Sequence, residues 1–364
     1  MISDILFIKR KWKSHYNISI NSPVDLLLFH LDKNQYVKYD GARLKLHSKI
    51  KKFLKDKTNS KKWDNYGTPY TSDSVEFEFF GIFRYLLHFR KIKYIFFPFG
   101  DYDYYYAGFL KKFFNIKIIL YSFFSIEELQ NRYKNLDHLN RADLIFTAGS
   151  AEMFFLRKNI QTRIEHLPLA LDFEYLKENI IRRKMFLKNL VEGVTINIIH
   201  VGINRRDFKL LDQIISLTNQ KKHNVHFHLV GNLPDFMKKN WESNSKVTFH
   251  ENIEYQNLFD LYIRADIGLL CLSDAASSST FMEYIAFGLP TIVNDFPTIR
   301  EYGDDNSAFY VPKLNQEEEF VKYIELLLKD KNLRIEKSHL AMEYSLKYDI
   351  LNIKTKFHDS LVNF

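Results

Sequence analysis

Residues 277–295, SSSTFMEYIAFGLPTIVND, place four hydroxyl side chains ahead of a single carboxylate, Glu283, and close on Gly-Leu-Pro before a β-branched run. A helix starting at the serines presents unpaired N–H groups and the positive end of its dipole, a ready seat for phosphate. Ser278, Ser279 and Thr280 add hydroxyls at that end. Glu283, about one turn further in, can accept two hydrogen bonds from vicinal hydroxyls such as those of a ribose. The chemistry this pattern predicts is the binding of a nucleoside diphosphate. The competing reading is a serine-capped helix with a surface glutamate.

Other constellations point to less. Asp101 and Asp103 have the spacing of a metal-binding carboxylate pair, and they follow an apolar run that reads as a strand. A three-residue match arises readily by chance, so a helix cap or an acceptor-side general base is the better expectation, and no metal is called for. None of the 13 histidines falls at the spacing of a zinc-protease helix. His226 and His228 lie two apart and share one strand face, where a satisfied histidine is commoner than a ligand. Cys271 is the only cysteine, which excludes an internal disulfide and a cysteine zinc cage. No phosphate-binding lysine loop, dinucleotide glycine fingerprint or serine nucleophile elbow occurs.

The elements that must position these residues alternate. In the second half TINIIHVG, VHFHLVGN, KVTFHEN, IGLLCLS and PTIVND read as short strands, and FKLLDQIISL, PDFMKKNWE, YQNLFDLYIRAD and STFMEYIAFG as helices between them. Such alternation means a parallel sheet covered on both faces, with ligands beyond the carboxyl ends of the strands. The first half alternates less cleanly. SDILFI, VDLLLFHL, KYIFFPFG, KIILYSFF and ADLIFTAG read as strands, and FGIFRYLLHFRK, YYYAGFLKKFF and IEELQNRYKNLDHL as helices. At 364 residues the chain predicts two α/β domains, 1–185 and 186–335, followed by helices over 336–364.

The run from the hydroxyl residues through MEYIAFGLPTIV resembles the donor site of retaining glycosyltransferases of the GT-B fold, family 4 type. VGINRRDFKLLDQII resembles that family's Gly, Arg and Lys turn at the first strand of the C-terminal domain. The similarity runs from about Asp143 to Asn306. It implies two Rossmann-like doubly wound domains facing a central cleft, the first for acceptor and the second for nucleotide-sugar, with the final helices packing back on the first. Carried over by position, Glu283 holds the ribose, while Ser279, Thr280 and their amides cradle the diphosphate. Arg206 neutralises it, with Arg205 and Lys209 as competing choices. Gly202, Asn232 and Ser278 complete the donor-binding set. Two departures stand out. Ala275 occupies the place of the family's second glutamate, with Asp274 adjacent as a substitute, and the first strand lacks the usual glycine-rich loop. The expectation is a metal-independent hexosyltransferase of open stereochemistry, needing no cofactor beyond its donor and acting on a glycan or lipid-linked glycan in cell-surface polysaccharide synthesis. A non-catalytic GT-B partner subunit and a nucleotide-sugar epimerase on the same fold are the alternatives.

Charge is unevenly placed. Residues 1–190 hold 33 Lys+Arg against 20 Asp+Glu, a balance of +13; the rest hold 19 against 24, or −5, and the sum is the net +8. The first half is thus expected to face something anionic. Residues 42–63, rich in lysine with Leu46, Ile50, Phe53 and Leu54 at helical spacing, suit either an anionic membrane surface or a helix packed on its own sheet. Nucleic acid is not expected, because the lysines are interleaved with aliphatic residues rather than stacking aromatics. A mean hydropathy of −0.28 and the absence of a long apolar run predict a cytoplasmic protein, peripheral at most to the inner face of the membrane.

Overall fold

The computed structural model describes residues 5–9, 36–40, 46–61, 70–88, 90–189 and 195–362. These fall into two compact units, one of residues 5–168 with 359–362, the other Leu169–His358.

The first unit is built on strands β1 (Ile5–Lys9), β2 (Tyr36–Asp40), β3 (Tyr94–Phe97), β4 (Lys117–Ser122), β5 (Leu144–Thr147) and β6 (Arg163–His166). They are parallel, in the order β2-β1-β3-β4-β5-β6. β3 to β5 are nearly continuous apolar runs because both faces of a central parallel strand are covered. Helices α1 (Ser48–Asp56), α2 (Ser72–His88), α3 (Gly100–Asp103), α4 (Ile126–Arg132) and α5 (Ser150–Asn159) connect them. A capping box starts α4, with Ser125 Oγ accepting from the Glu128 amide at 3.2 Å.

One expectation changes here and one lies beyond the described residues. The helix read over YYYAGFLKKFF is only a 3₁₀ turn at Ala107–Lys112. Its cause is Glu78 of α2, whose Oε1 accepts from the amides of Tyr105, Tyr106 and Ala107, each at 2.7 Å. That carboxylate holds the tyrosine run in a tight curve and the chain turns helical only beyond it. The strand read over VDLLLFHL lies outside the described residues.

The second unit has β7 (Ile196–Val201), β8 (Val225–Val230), β9 (Val247–His250), β10 (Ile267–Leu270), β11 (Thr291–Asn294) and β12 (Ala308–Val311), parallel in the order β12-β11-β10-β7-β8-β9. Its helices are α6 (Phe173–Lys188), α7 (Phe208–Gln220), α8 (Asp235–Trp241), α9 (Tyr255–Arg264), α10 (Ser279–Ala286), α11 (Pro297–Arg300), α12 (Gln316–Lys329), α13 (Lys331–Ser345) and α14 (Ile350–Val362). α7 buries Leu210, Leu211, Ile214, Ile215 and Thr218 on one face, and its first turn is capped by Asp207. α6 is tied in by Arg183, whose buried guanidinium donates to the carbonyls of Ile263, Ala265 and Phe287 at 2.8, 2.6 and 3.1 Å. These meet the orphan carbonyls at the ends of α9 and α10. α13 packs on α10 within this unit. Residues 359–362 of α14 group with the first unit, where Ser360 Oγ lies 2.5 Å from Glu165 Oε2. Among the described residues no helix is long and apolar enough to cross a membrane.

Candidate functional site

In the second sheet β7 and β10 are neighbours, yet the chain leaves β7 toward β8 on one side and β10 toward β11 on the other. This is a topological switch point, where loops diverge and leave room for a ligand. The two loops that leave it are stitched together. Asp207 N donates to Cys271 O at 3.0 Å, Ser273 N donates to Arg205 O at 3.1 Å, and Arg206 pairs with Leu272 as an isolated antiparallel bridge. The end of β10 is held to β11 by Leu272 N donating to Asn294 Oδ1 at 2.6 Å.

That stitching aims Arg206. Its Nε and Nη2 donate to Val201 O at 3.0 and 2.9 Å, and Nη2 also reaches Thr280 Oγ1 at 3.0 Å. Burial holds the guanidinium pKa below its ordinary value. Gly202 is the seat for this arginine. It has φ +98°, and a Cβ there would lie 2.7 Å from Arg206 Nη2. Arg205 takes φ +54°, while Lys209 and Asn232 are exposed.

The front of α10 is capped by Ser278, whose Oγ accepts from Phe281 N at 3.2 Å. That hydroxyl therefore serves its own helix. The amides of Ser279 and Thr280 precede the capped one in the first turn, where a helix has no partner of its own to offer them, and the Thr280 hydroxyl lies beside the Arg206 guanidinium. Ser279 is exposed and Thr280 is buried. Glu283, one turn in, is 6% exposed and its Oε2 accepts from Tyr262 Oη of α9 at 2.5 Å. Tyr284 donates to Ile199 O at 3.0 Å, fixing α10 over β7. Asp274 Oδ1 accepts from Ala275 N at 2.8 Å, and Ala275 O accepts from Thr298 Oγ1 at 2.7 Å. The structure thus brings Gly202, Arg206, Thr280 and Ser279 together, with Glu283 deeper along the same helix.

Asp101 and Asp103 lie in the other unit, on α3, and both are buried. Asp101 accepts from Ser122 Oγ, Phe123 N and Phe124 N at 2.8, 2.5 and 3.0 Å. Burial pushes its carboxyl up to about 6, against those three donors. Its place in the fold is to hold the loop leaving β4. His226 and His228 sit on one face of β8, bonded to Thr248 Oγ1 at 2.8 Å and to His250 and Asn197 at 3.1 and 3.2 Å. Among the described residues no group of three or more His, Cys, Asp or Glu is placed to hold a metal ion.

Tyr262, Asn294 and Thr298 were not anticipated. Tyr262 sits in an amphipathic pattern that announces only a core position, and nothing in the sequence pairs it with Glu283.

Residues 196–343 match the family model described as Glycosyl transferases group 1. No curated protein matches the chain. Among solved structures, HepE of Anabaena in complex with UDP-glucose is similar at 12% identity, covering 99% of this chain and 100% of that one, with a TM-score of 0.68. WaaG, a glycosyltransferase involved in lipopolysaccharide biosynthesis, is similar at 16% identity over 98% of both chains, with a TM-score of 0.61. Sucrose-phosphate synthase of Thermosynechococcus elongatus is similar at 14% identity, covering 80% and 78%, with a TM-score of 0.60. At these identities the structural likeness shows a shared fold and no more. With its two parallel α/β sheets the chain has the GT-B glycosyltransferase fold, and residues 196–343, within its second unit, are the part similar to the group 1 glycosyl transferases.

Proposed function

We propose that the chain transfers a hexosyl unit from a nucleoside diphosphate sugar to a hydroxyl of a glycan or lipid-linked glycan, in the synthesis of cell-surface polysaccharide. The observation that supports this most is the 3.0 Å bond from Arg206 Nη2 to Thr280 Oγ1, which sets a cation beside the first-turn amides of α10. A diphosphate there would meet the guanidinium, those amides and the helix dipole together. Their effect grows as the sugar bond breaks, because the bridging oxygen gains negative charge in the transition state. With the leaving group neutralised by protein donors, the reaction needs no metal and no cofactor beyond the donor. Glu283 would accept from the ribose hydroxyls, Gly202 admits the close approach of the phosphates, and Arg205, Lys209 and Asn232 would line the rim. Asp274 would reach the sugar. The first unit would take the acceptor, with the buried Asp101 acting through the loop it holds after β4 and Asp103 beside it on α3. Such a protein would work in the cytoplasm, at the inner face of the membrane.

Thermal-shift screening against UDP, GDP and their sugars tests this, because a ligand at 100 times its Kd stabilises by about 2.7 kcal/mol. The expected outcome is stabilisation by one nucleotide, reduced by Arg206→Ala and by Glu283→Ala, with sugar transferred to the acceptor and nucleoside diphosphate released when both substrates are supplied. No stabilisation by any nucleotide, or stabilisation indifferent to both substitutions, would refute the reading. The buried Ala275 favours a second reading, a non-catalytic subunit, which predicts nucleotide binding without turnover of any sugar.

A further inference from the structure

α1 lies on α2 through its inner side. Lys51 Nζ is 2.9 Å from Glu76, Leu46 N donates to Glu76 Oε1 at 3.1 Å, and Tyr106 Oη donates to Leu54 O at 2.6 Å. The sequence allowed its apolar stripe to pack on the sheet, and the structure does otherwise: no residue of α1 is buried. Ile50 and Phe53 are 50% and 60% exposed, set among exposed Lys49, Lys52 and Lys57, with Lys57 Nζ 5.6 Å from the Phe53 ring centre. The α2 face that α1 covers at Glu76 carries Phe83 and Leu87 two and three turns later, on the same stripe. These are 47% and 55% exposed.

The geometry points to the outer face of α1, together with the uncovered end of the α2 stripe at Phe83 and Leu87, as the surface by which the first unit sits on an anionic lipid bilayer. Large apolar side chains in water are costly, and a patch of them marks something that binds. Lysine among them selects the partner. Protein interfaces are depleted in lysine, whereas at a headgroup layer its stem lies along acyl chains and its ammonium meets phosphate. α1 carries one acid, Asp56, against four lysines, matching the positive balance of the first half of the chain. Residues 42–45 and 62–63 of the basic stretch lie outside the described residues. This inference does not rest on the donor site.

The test is co-sedimentation of the full chain with phosphatidylcholine vesicles, with and without phosphatidylglycerol. The expected result is binding that requires phosphatidylglycerol, weakens with salt, and falls roughly tenfold or more in Ile50→Ser/Phe53→Ser and in Lys49→Gln/Lys52→Gln/Lys57→Gln. All five side chains are exposed, so both variants should keep the wild-type melting temperature and nucleotide-induced shift. That separates loss of docking from failure of the donor reading. Wild-type protein that ignores anionic vesicles or binds neutral ones equally, or a double variant that binds undiminished, overturns the inference. So does a face whose substitution alters only self-association on gel filtration.

Discussion

Gly202→Ala probes the seat of Arg206 without touching a charged group. At φ +98° an alanine is strained by about 1–3 kcal/mol. Its Cβ, 2.7 Å from Nη2, also pushes the guanidinium off Val201 O and Thr280 Oγ1. Two hydrogen bonds from a charged donor weaken, each worth about 1.5–3 kcal/mol, partly regained from water. A net loss of about 2–4 kcal/mol should lower the melting temperature by roughly 4–16 °C. Nucleotide affinity should fall roughly 10- to 100-fold, the cost of one misplaced charge-assisted contact. The assay is a double-mutant cycle: titration calorimetry with the nucleotide that stabilises the wild type, on Gly202→Ala, Arg206→Ala and the double variant. If Gly202 acts through Arg206, the glycine substitution should cost no further affinity once the arginine is gone, while its backbone strain still lowers the melting temperature. Equal affinity losses from Gly202→Ala in both backgrounds, or a Gly202→Ala protein that binds as tightly as wild type, would show that the arginine is not what the glycine accommodates.

Tyr262→Phe leaves Glu283 Oε2 without the hydroxyl 2.5 Å away and should cost about 1–3 kcal/mol of stability together with nucleotide affinity, read by melting and titration. Affinity that falls for UDP but not for pyrophosphate would place the effect at the ribose. Glu78→Ala removes the acceptor of three amides and should destabilise the first unit by about 3 kcal/mol or more, with Glu78→Gln milder; denaturant unfolding measures both. Burial, then the neighbouring His226 and His250, lower the His228 pKa from 6.5 to about 4. Because the folded value lies below the unfolded one, stability present above pH 6.5 is lost as pH falls from there toward 4. Buried His138 and His200 contribute with the same sign, so the measurement is the difference in urea stability between pH 7 and pH 5 for wild type against His228→Asn. An unchanged difference would remove His228 as a cause.

What could be read from the chain follows from what each strand must bury. β3, β4, β5 and β10 are central, so their sequences are near-continuous apolar runs that announce themselves. β2, β6 and β12 lie at sheet edges and read YVKYD, RIEH and AFYV, short or charged in a way that blunts an open edge and hides the strand. The same logic divides the site. The Ser-rich start of α10 is a local pattern at a strand end, and the parallel-sheet rule puts it at the carboxyl edge of the sheet. The NRR turn after β7 is joined to it by the family resemblance, 74 positions away, and Arg206 and Thr280 do meet. The Tyr262–Glu283 pair has no such rule behind it. It joins the faces of α9 and α10, and the meeting of two helix faces depends on side-chain volumes between them, which a helical period does not encode. The exposed faces of α1 and α2 are a third case. Periodicity showed a stripe, and only the contact of α1 with Glu76 showed that Ile50 and Phe53 turn away from the unit. A stripe facing its own core and a stripe facing a bilayer have the same period. What separates them is which side of the helix the protein engages, and here Lys51 and the Leu54 carbonyl make the contacts with the unit.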